Sequence, residues 1–300
     1  MPTTPGHAAG HAADKGRRDD PKAGIARRFD LVADSYGQSG DGFFSGLGTR
    51  LATAAGLRPG DRVLDLGCGR GAVLFAAAAL VGPDGYAAGI DLSPAMVRAT
   101  AADAARQGLR NVAVRVGDAE DPGFPAHSFE AVLAGLMMFI TPDPDAALAA
   151  VRRVLVPGGR FAMTTFGPAE PGWEAALSAA LAFQQPPPAV RRTTVKGGNG
   201  RFDTLPGIAA TMAAAGFTGV RTTEVEHLAS YTDPEQWWAT LWTSGGRAAL
   251  ELIPGPHRER ARRAAFEAAE KLRVDGLLTR RTLLRLTTAD SGPERPTPVG

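Results

Sequence analysis

Three glycines in alternation follow a short apolar run, and this stretch constrains the fold more than any other. Residues 63–66 read Val-Leu-Asp-Leu, and Gly67, Gly69 and Gly71 precede an alanine-rich segment. A short, nearly continuous apolar run is typical of a parallel strand that is covered on both faces. Glycine lets the backbone turn sharply and approach a ligand, and the next helix presents free N–H groups. The stretch therefore predicts a strand, a cofactor-binding loop and a helix.

The glycine spacing alone is compatible with more than one cofactor, because Gly67, Gly69 and Ala72 also satisfy the dinucleotide fingerprint G-x-G-x-x-G/A. The strands that follow narrow the choice of cofactor. One ends at Asp91, where a carboxylate can accept hydrogen bonds from both hydroxyls of a ribose. The next ends at Asp118, which suits the exocyclic amine of an adenine. The sequence therefore predicts a ligand that contains adenosine.

Strands and helices alternate through residues 57–167, which favours right-handed crossovers and a parallel sheet. Ligands of such sheets bind at the carboxyl ends of the strands. We therefore expect Asp65, Asp91, Asp118 and Leu136 to converge. Further strands are predicted at 129–134, 160–166, 220–227 and 281–287, and later helices at 173–183, 205–215, 234–252 and 256–271.

Four blocks of sequence resemble the class I S-adenosylmethionine-dependent methyltransferases, and most of all the small-molecule enzymes of the ubiquinone and menaquinone-biosynthesis type. The blocks lie at residues 64–71, 89–96, 117–120 and 155–161, in the family's order. The resemblance implies S-adenosylmethionine as cofactor and S-adenosylhomocysteine as product. It also implies an α/β fold, a Rossmann-like doubly wound sheet of seven strands, mostly parallel with an antiparallel last strand, and an added helical lid.

The resemblance assigns cofactor contacts residue by residue. Asp65 and the glycine loop match the positions that hold the methionine end, and Asp91 matches the ribose position. Leu92 and Met96 match a face of the adenine, and Asp118 with Ala119 its edge. Ala134 and Leu136 match backbone positions at the methionine amino group. The full set that it implies is Tyr36, Asp65, Gly67, Cys68, Gly69, Gly71, Asp91, Leu92, Met96, Asp118, Ala119, Ala134 and Leu136.

Tyr36 ends a Phe-Asp-x-x-Ala-x-x-Tyr pattern that begins at Phe29, and relatives of this type place this tyrosine over the cofactor. An aromatic face attracts a desolvated sulfonium by ~0.5 to 2 kcal/mol. The alternative is a tyrosine that only caps a mobile lid, and the sequence leaves both interpretations open.

The acceptor site is predicted from aromatic residues after the cofactor-binding core. Trp238 and Trp242 share one helical face, which indicates either a large apolar pocket or ordinary helix packing. His227 ends the sixth predicted strand and is the best placed candidate for a general base, although a histidine that merely ends a strand is the simpler explanation. The predicted substrate pocket comprises Met137, Met138, Phe139, Phe183, Trp238 and Trp242.

A sulfonium methyl group is already an activated electrophile, so the protein must mainly align the acceptor in line with the S–C bond and exclude water. We therefore predict methyl transfer to an apolar small molecule, aromatic, polyketide-like or terpenoid, at oxygen, carbon or nitrogen. One alternative is a cyclase-like protein that binds the cofactor without transferring methyl. A less favoured one is a nicotinamide-dependent dehydrogenase. No metal-ligand spacing is seen, and no metal is predicted.

Composition excludes several classes of function. The net charge of +2 argues against a nucleic-acid partner, and one cysteine excludes an internal disulfide. No apolar run spans a bilayer, and the first residues lack a signal-peptide core, so a cytoplasmic location is predicted. The 191–201 loop is a phosphate grip or a surface loop. The expected divisions are 1–22 (disordered), 23–56 (helical cap), 57–167 (S-adenosylmethionine-binding core), 168–204 (helix and loop insertion), 205–290 (end of the sheet with a helical substrate lid) and 291–300 (disordered tail).

Overall fold

The computed structural model describes residues 20–38, 42–185 and 200–292, which contain a seven-stranded sheet flanked by helices. The strands are β1 (Arg62–Leu66), β2 (Tyr86–Asp91), β3 (Val112–Val116), β4 (Phe129–Gly135), β5 (Leu155–Phe166), β6 (Thr218–Tyr231) and β7 (Leu278–Asp290). Their order is β3-β2-β1-β4-β5-β7-β6, and β7 runs antiparallel to both neighbours. The predicted doubly wound sheet with an antiparallel last strand is confirmed.

The helices begin with a recurrent local device, a side-chain cap followed by proline. Asp20, Ser93, Asp143 and Asp233 each accept a hydrogen bond from a backbone N–H of the next turn, and a proline follows each of them. Both features favour a helix start at that residue. The described helices are α1 (Pro21–Asp30), α2 (Phe43–Ala54), α3 (Ala72–Val81), α4 (Pro94–Arg106), α5 (Pro144–Val154), α6 (Pro171–Leu181), α7 (Leu205–Ala214), α8 (Pro234–Trp242), α9 (Arg247–Glu251) and α10 (Gly255–Glu270).

The sheet buries apolar side chains on both faces. In β1, Val63, Leu64 and Leu66 are at most 1% exposed, as a central parallel strand requires. One face packs against α5 and α7, and the other against α2 and α3. A separate apolar cluster joins α6, α8, α9 and α10 to the far ends of β6 and β7, and we call these four helices the helical lobe.

The hairpin of β6 and β7 is longer than the sequence pattern predicts. Tyr231 pairs with Leu278, so both strands extend several residues past the predicted 220–227 and 281–287. The sequence pattern did not predict the extension, in which exposed and buried residues alternate over positions 228–231, as in a strand that is covered on one face. The covered face carries the helical lobe, and this is what places the lobe above the carboxyl edge of the sheet.

Two helix boundaries also differ from expectation. The predicted helix at 234–252 is divided into α8 and α9, because Ser244, Gly245 and Gly246 interrupt it. Helix α1 begins at Pro21, inside the segment expected to be disordered. The predictions for residues 1–19, 191–199 and 293–300 lie outside the described residues. Within the described ranges, no helix combines the length and apolar character needed to cross a membrane.

Candidate active site

A cavity of about 500 Å³ opens at the carboxyl ends of β1, β2 and β4. The acids that end successive strand units, Asp65, Asp91 and Asp118, all line it, so the expected convergence is observed. The predicted residues that line the cavity are Tyr36, Asp65, Gly67, Cys68, Gly69, Asp91, Leu92, Asp118, Ala119, Leu136 and Met137. We call this space the cofactor cavity.

Asp65 is the most unusual group in the cofactor cavity. It is 1% exposed, and neither carboxylate oxygen makes a hydrogen bond of normal length to the described residues. Burial, and then the charge of Asp91, raise the pKa of Asp65 well above its ordinary value, and the backbone N–H of Leu74 opposes this shift without cancelling it. A buried carboxylate with no cation and no hydrogen bond of normal length is costly, so this position fits a ligand that brings a cation and hydrogen-bond donors.

Asp91 is held by the loop that it faces. Its Oδ2 accepts a hydrogen bond from the Gly69 N–H at 2.9 Å, and its Oδ1 accepts one from the Ser93 N–H at 2.8 Å. Burial raises the pKa of Asp91, and these two bonds oppose the shift. Both oxygens keep lone pairs, so the carboxylate can accept further bonds from vicinal hydroxyls.

Asp118 already has a cationic partner. The Lys22 Nζ of α1 lies 2.6 Å from Asp118 Oδ2 and also pairs with Glu120, while the Glu120 N–H donates to Asp118 Oδ1 at 2.9 Å. The Lys22 contact was not predicted, because it joins residues 96 positions apart and no local pattern signals it.

Hydrogen bonds at two further points hold the end of α1 and the segment after it against the cofactor cavity. Asp30 accepts hydrogen bonds from Ser93 Oγ at 2.6 Å and the Ala95 N–H at 3.0 Å. The Arg70 guanidinium donates to the Ala33 carbonyl at 2.6 Å and bonds Asp103 as well. These bonds hold the segment that carries Tyr36 against the glycine loop.

Tyr36 lies over the loop with its ring near Gly69. A Cβ built on Gly69 would be 3.8 Å from Tyr36 Cε1, and the tyrosine ring contacts Phe44 with centroids 4.7 Å apart. Burial, and then the charge of Asp91, raise the pKa of Tyr36, so its phenol stays neutral. The sequence analysis did not predict Phe44 as a wall of the cavity, although this ring lines it.

Leu136 follows β4 in a left-handed conformation, with φ of 53°. This conformation is uncommon for a residue other than glycine and costs of order 1–3 kcal/mol. The Leu136 N–H donates to Thr164 Oγ1 at 3.1 Å, which fixes the turn. The backbone beside Asp65 is thus held in a set position by β5.

Some predicted cofactor residues do not line the cavity. Gly71 is needed by packing, because a Cβ there would be 2.6 Å from the Phe75 ring. Met96 is fully buried against Val32 and the segment of Tyr36, and Ala134 lies inside the sheet core. Met96 and Ala134 are therefore packing residues in this structure.

The predicted acceptor residues are spread over several environments. Met138 is fully buried in the main core, while the Phe139 ring lies 5.6 Å from that of Phe166. Trp238 packs against Phe266 inside the helical lobe. Arginines cover the ring faces of the other two predicted residues: Arg260 lies over Phe183, and Arg258 lies over Trp242.

His227 lies on β6 opposite Thr282, and its ring meets the edge of Phe43 with centroids 5.1 Å apart. His227 does not line the cofactor cavity. Its predicted role as a base stays a prediction.

The cofactor cavity fits S-adenosylmethionine. The unpartnered Asp65 carboxylate suits the methionine ammonium group, and the free lone pairs of Asp91 suit the ribose hydroxyls. Gly67 lies in the same cavity and has a φ of 60°, a left-handed conformation that favours glycine. In the described part of the chain, no group of three or more His, Cys, Asp or Glu residues is placed to hold a metal ion.

The fold and the cavity together define an α/β protein that binds a nucleoside cofactor at the carboxyl edge of a doubly wound sheet. A family profile described as a methyltransferase domain matches residues 57–192. The chain belongs to the class I S-adenosylmethionine-dependent methyltransferases, and its cofactor is S-adenosylmethionine. The comparisons favour neither the dehydrogenase nor the non-methylating alternative.

Several known proteins are similar to this chain. Nocamycin O-methyltransferase of Saccharothrix syringae is 39% identical over 82% of this chain and 88% of its own length. Aklanonic acid methyltransferase DauC of Streptomyces sp. strain C5 is 42% identical over 48% of this chain and 66% of its own length. Among solved structures, the YcgJ protein of Bacillus subtilis shares the fold, with a TM-score of 0.57 at 20% identity over 83% of this chain and 99% of that one.

We expect S-adenosylhomocysteine to bind more tightly as the pH rises through the raised pKa of Asp65. The ligand's ammonium group favours the ionised carboxylate, so binding at a pH below the raised pKa releases a proton from Asp65. Calorimetric titration in two buffers with different ionisation enthalpies measures this release. An affinity that does not change as the pH rises from the ordinary carboxyl value of 3.8 to neutrality, with no proton released, would contradict the assignment.

Proposed function

We propose that this methyltransferase acts on a polyketide-type or quinone-type small molecule, and that it methylates an oxygen atom. The observation that carries the proposal is a second cavity of about 630 Å³ beside the cofactor cavity. It lies between the end of β5, α6, α8 and the start of β7, and we call it the acceptor cavity. Its size is within the usual range for small-molecule sites.

An aromatic partition stands between the two cavities. Phe44 lines the cofactor cavity and Phe166 lines the acceptor cavity. Phe43 contacts both of them, with ring centroids 5.0 Å from Phe44 and 6.5 Å from Phe166. An acceptor that passes this partition would reach the cofactor cavity near Tyr36 and Leu136.

The wall of the acceptor cavity is largely apolar. Trp173 and Trp237 form one side, with ring centroids 5.0 Å apart, and Leu177 and Leu241 continue it. Flat aromatic walls favour a flat, extended ligand. We infer that the helical lobe is the substrate lid, and that Trp173 and Trp237 take the role first given to Trp238 and Trp242.

The names of the relatives support an acceptor of this class. One relative is an O-methyltransferase of nocamycin, and it aligns with most of both chains. Another acts on aklanonic acid. These names motivate the choice of oxygen as the methylated atom and of a polyketide-type acceptor.

The protein itself contributes by positioning the cofactor and the acceptor and by excluding water. The cofactor supplies an activated methyl group when it is bound. Asp65, Asp91 and the glycine loop would fix its position, while Tyr36 and the aromatic partition would keep water away from the reacting centre. His227 lines neither cavity, and its role as the base that accepts the acceptor's proton stays a prediction.

We expect Leu177→Trp to reduce methyl transfer at least about tenfold, because the larger ring fills the acceptor cavity that Leu177 lines. The assay incubates the protein with S-adenosylmethionine and a hydroxylated anthraquinone, and mass spectrometry detects one added methyl group. Affinity for S-adenosylhomocysteine should stay unchanged.

Ala175→Trp is the matched control, because Ala175 is exposed on the same helix and does not line the acceptor cavity. It should keep both methyl transfer and cofactor affinity. Equal activity in Leu177→Trp and wild type would contradict the placement of the acceptor. Failure to methylate any oxygen-bearing polycyclic compound would contradict the proposed acceptor class.

A further inference from the structure

One arginine stands out in the acceptor cavity. Arg280, in β7, lines the cavity and is half-buried. Among residues 20–38, 42–185 and 200–292 its guanidinium makes no hydrogen bond or ion pair. Its neighbour Arg281 differs, since that guanidinium pairs with Glu226 and its backbone N–H donates to Glu170 at 2.8 Å.

The register of the hairpin sets the direction of Arg280. It pairs with Ala229, while Thr282 pairs with His227 and Leu278 pairs with Tyr231. Paired residues of antiparallel strands share a face, and so do residues two apart along a strand. Ala229 and Leu278 belong to the buried cluster of the helical lobe, so Arg280 lies on the face that the lobe covers.

Within the described residues, no carboxylate that lines the acceptor cavity forms an ion pair with the Arg280 guanidinium. Glu170 and Glu174 are the carboxylates that line the same cavity. One oxygen of Glu170 is engaged by the Arg281 N–H, and Glu174 is exposed on α6. Neither lies within 4.0 Å of the Arg280 guanidinium as an ion pair. Most of the remaining wall is apolar, including Phe166 and Trp237.

We propose that Arg280 binds an anionic group of the acceptor, a carboxylate or an ionised phenol, and so selects acidic polycyclic molecules. The proposal rests on the proposed function, in which this cavity holds the acceptor. A guanidinium presents its donors in a planar fork that matches a carboxylate, and such charge-assisted bonds are stronger when water is excluded. Arg280 is thus a specificity-determining residue that acts before the methyl transfer step.

The test compares an acid with its neutral analogue in the full chain saturated with S-adenosylhomocysteine. The probes are anthraquinone-2-carboxylate and anthraquinone-2-carboxamide, and quenching of tryptophan fluorescence reports binding, because Trp173 and Trp237 line the cavity. We expect wild type to bind the carboxylate about tenfold more tightly than the carboxamide. Arg280→Met should abolish this preference and leave carboxamide affinity unchanged, and Arg280→Lys should retain part of it.

Arg281→Met is the matched control, because Arg281 also lines the cavity but its guanidinium already pairs with Glu226, and this variant should keep the preference for the acid. Glu174→Gln should strengthen carboxylate binding slightly by removing a like charge. A preference that persists in Arg280→Met, or equal binding of both probes to wild type, would overturn this inference and leave the proposed function intact. If wild type binds S-adenosylhomocysteine but neither probe, the acceptor cavity itself is wrongly assigned, and both proposals fail.

Discussion

Asp65→Asn is expected to weaken S-adenosylhomocysteine binding at least about 30-fold while it makes the ligand-free protein more stable. The loss follows because removing one partner of a buried, hydrogen-bonded charge pair costs about 2–5 kcal/mol. The neutral amide cannot compensate the ligand's ammonium charge in a position that is 1% exposed. Calorimetric titration of both proteins measures the change.

The gain in stability follows from the pKa of the same carboxyl. Burial and the charge of Asp91 raise the pKa of Asp65 in the folded protein, so the folded state holds this proton more strongly than the unfolded state. The free energy of unfolding therefore falls as pH rises above the ordinary value of 3.8, and the cost is complete above the raised pKa. The asparagine variant does not bear this cost.

Thermal unfolding of the ligand-free proteins at about pH 5 and about pH 8 gives the check. The variant should melt at a higher temperature than wild type, and the difference should be larger at the higher pH. Wild-type ligand affinity in Asp65→Asn would contradict the role of Asp65. A variant that melts lower at the higher pH would contradict the unpaired state of the carboxylate in the free protein.

Gly48→Ala is expected to destabilise the protein by at least about 1–3 kcal/mol and to weaken cofactor binding. A Cβ on Gly48 would lie 2.1 Å from the carbonyl oxygen of Ala72. This neighbour is backbone at the start of α3, immediately after the glycine loop, so it cannot turn aside as a side chain can. Helix α2 would have to move away from the loop, and thermal unfolding with ligand titration measures both effects.

Gly46→Ala is the control in the same helix, because a Cβ at Gly46 meets nothing within 4 Å. Alanine is the better helix former by roughly 0.5–1 kcal/mol, so this variant should be slightly more stable with unchanged ligand affinity. If the two variants behave alike, close packing of α2 on α3 is not what positions the loop.

The cofactor site was largely predictable because each of its parts is local. A strand, a tight turn and a helix start form within about ten residues, and each strand ends on its own acid. Asp65, Asp91 and Asp118 could therefore be assigned one unit at a time, and the parallel sheet brings them together. The contacts of Lys22 and Asp30 could not be predicted, since their partners lie 96 and 63 positions away.

The acceptor side was less predictable for a related reason. Trp238 and Trp242 indicated an aromatic wall, but their spacing could not show which ring faces a cavity. Packing against Phe266 takes Trp238 away from it, and Trp237 lines it together with Trp173, 64 residues earlier in the chain. Helical periodicity defines a face, and only the neighbouring elements decide what that face meets.

The sequence by itself determined the family, the doubly wound sheet with its antiparallel last strand and the three acids that line one cavity, because these depend on short patterns that fold locally. Only the tertiary structure decided that β6 and β7 extend beyond the sheet and that Arg280 lies on the face covered by the helical lobe. The physical reason is that the register of an antiparallel hairpin, and the helices that cover it, are set by contacts between distant segments.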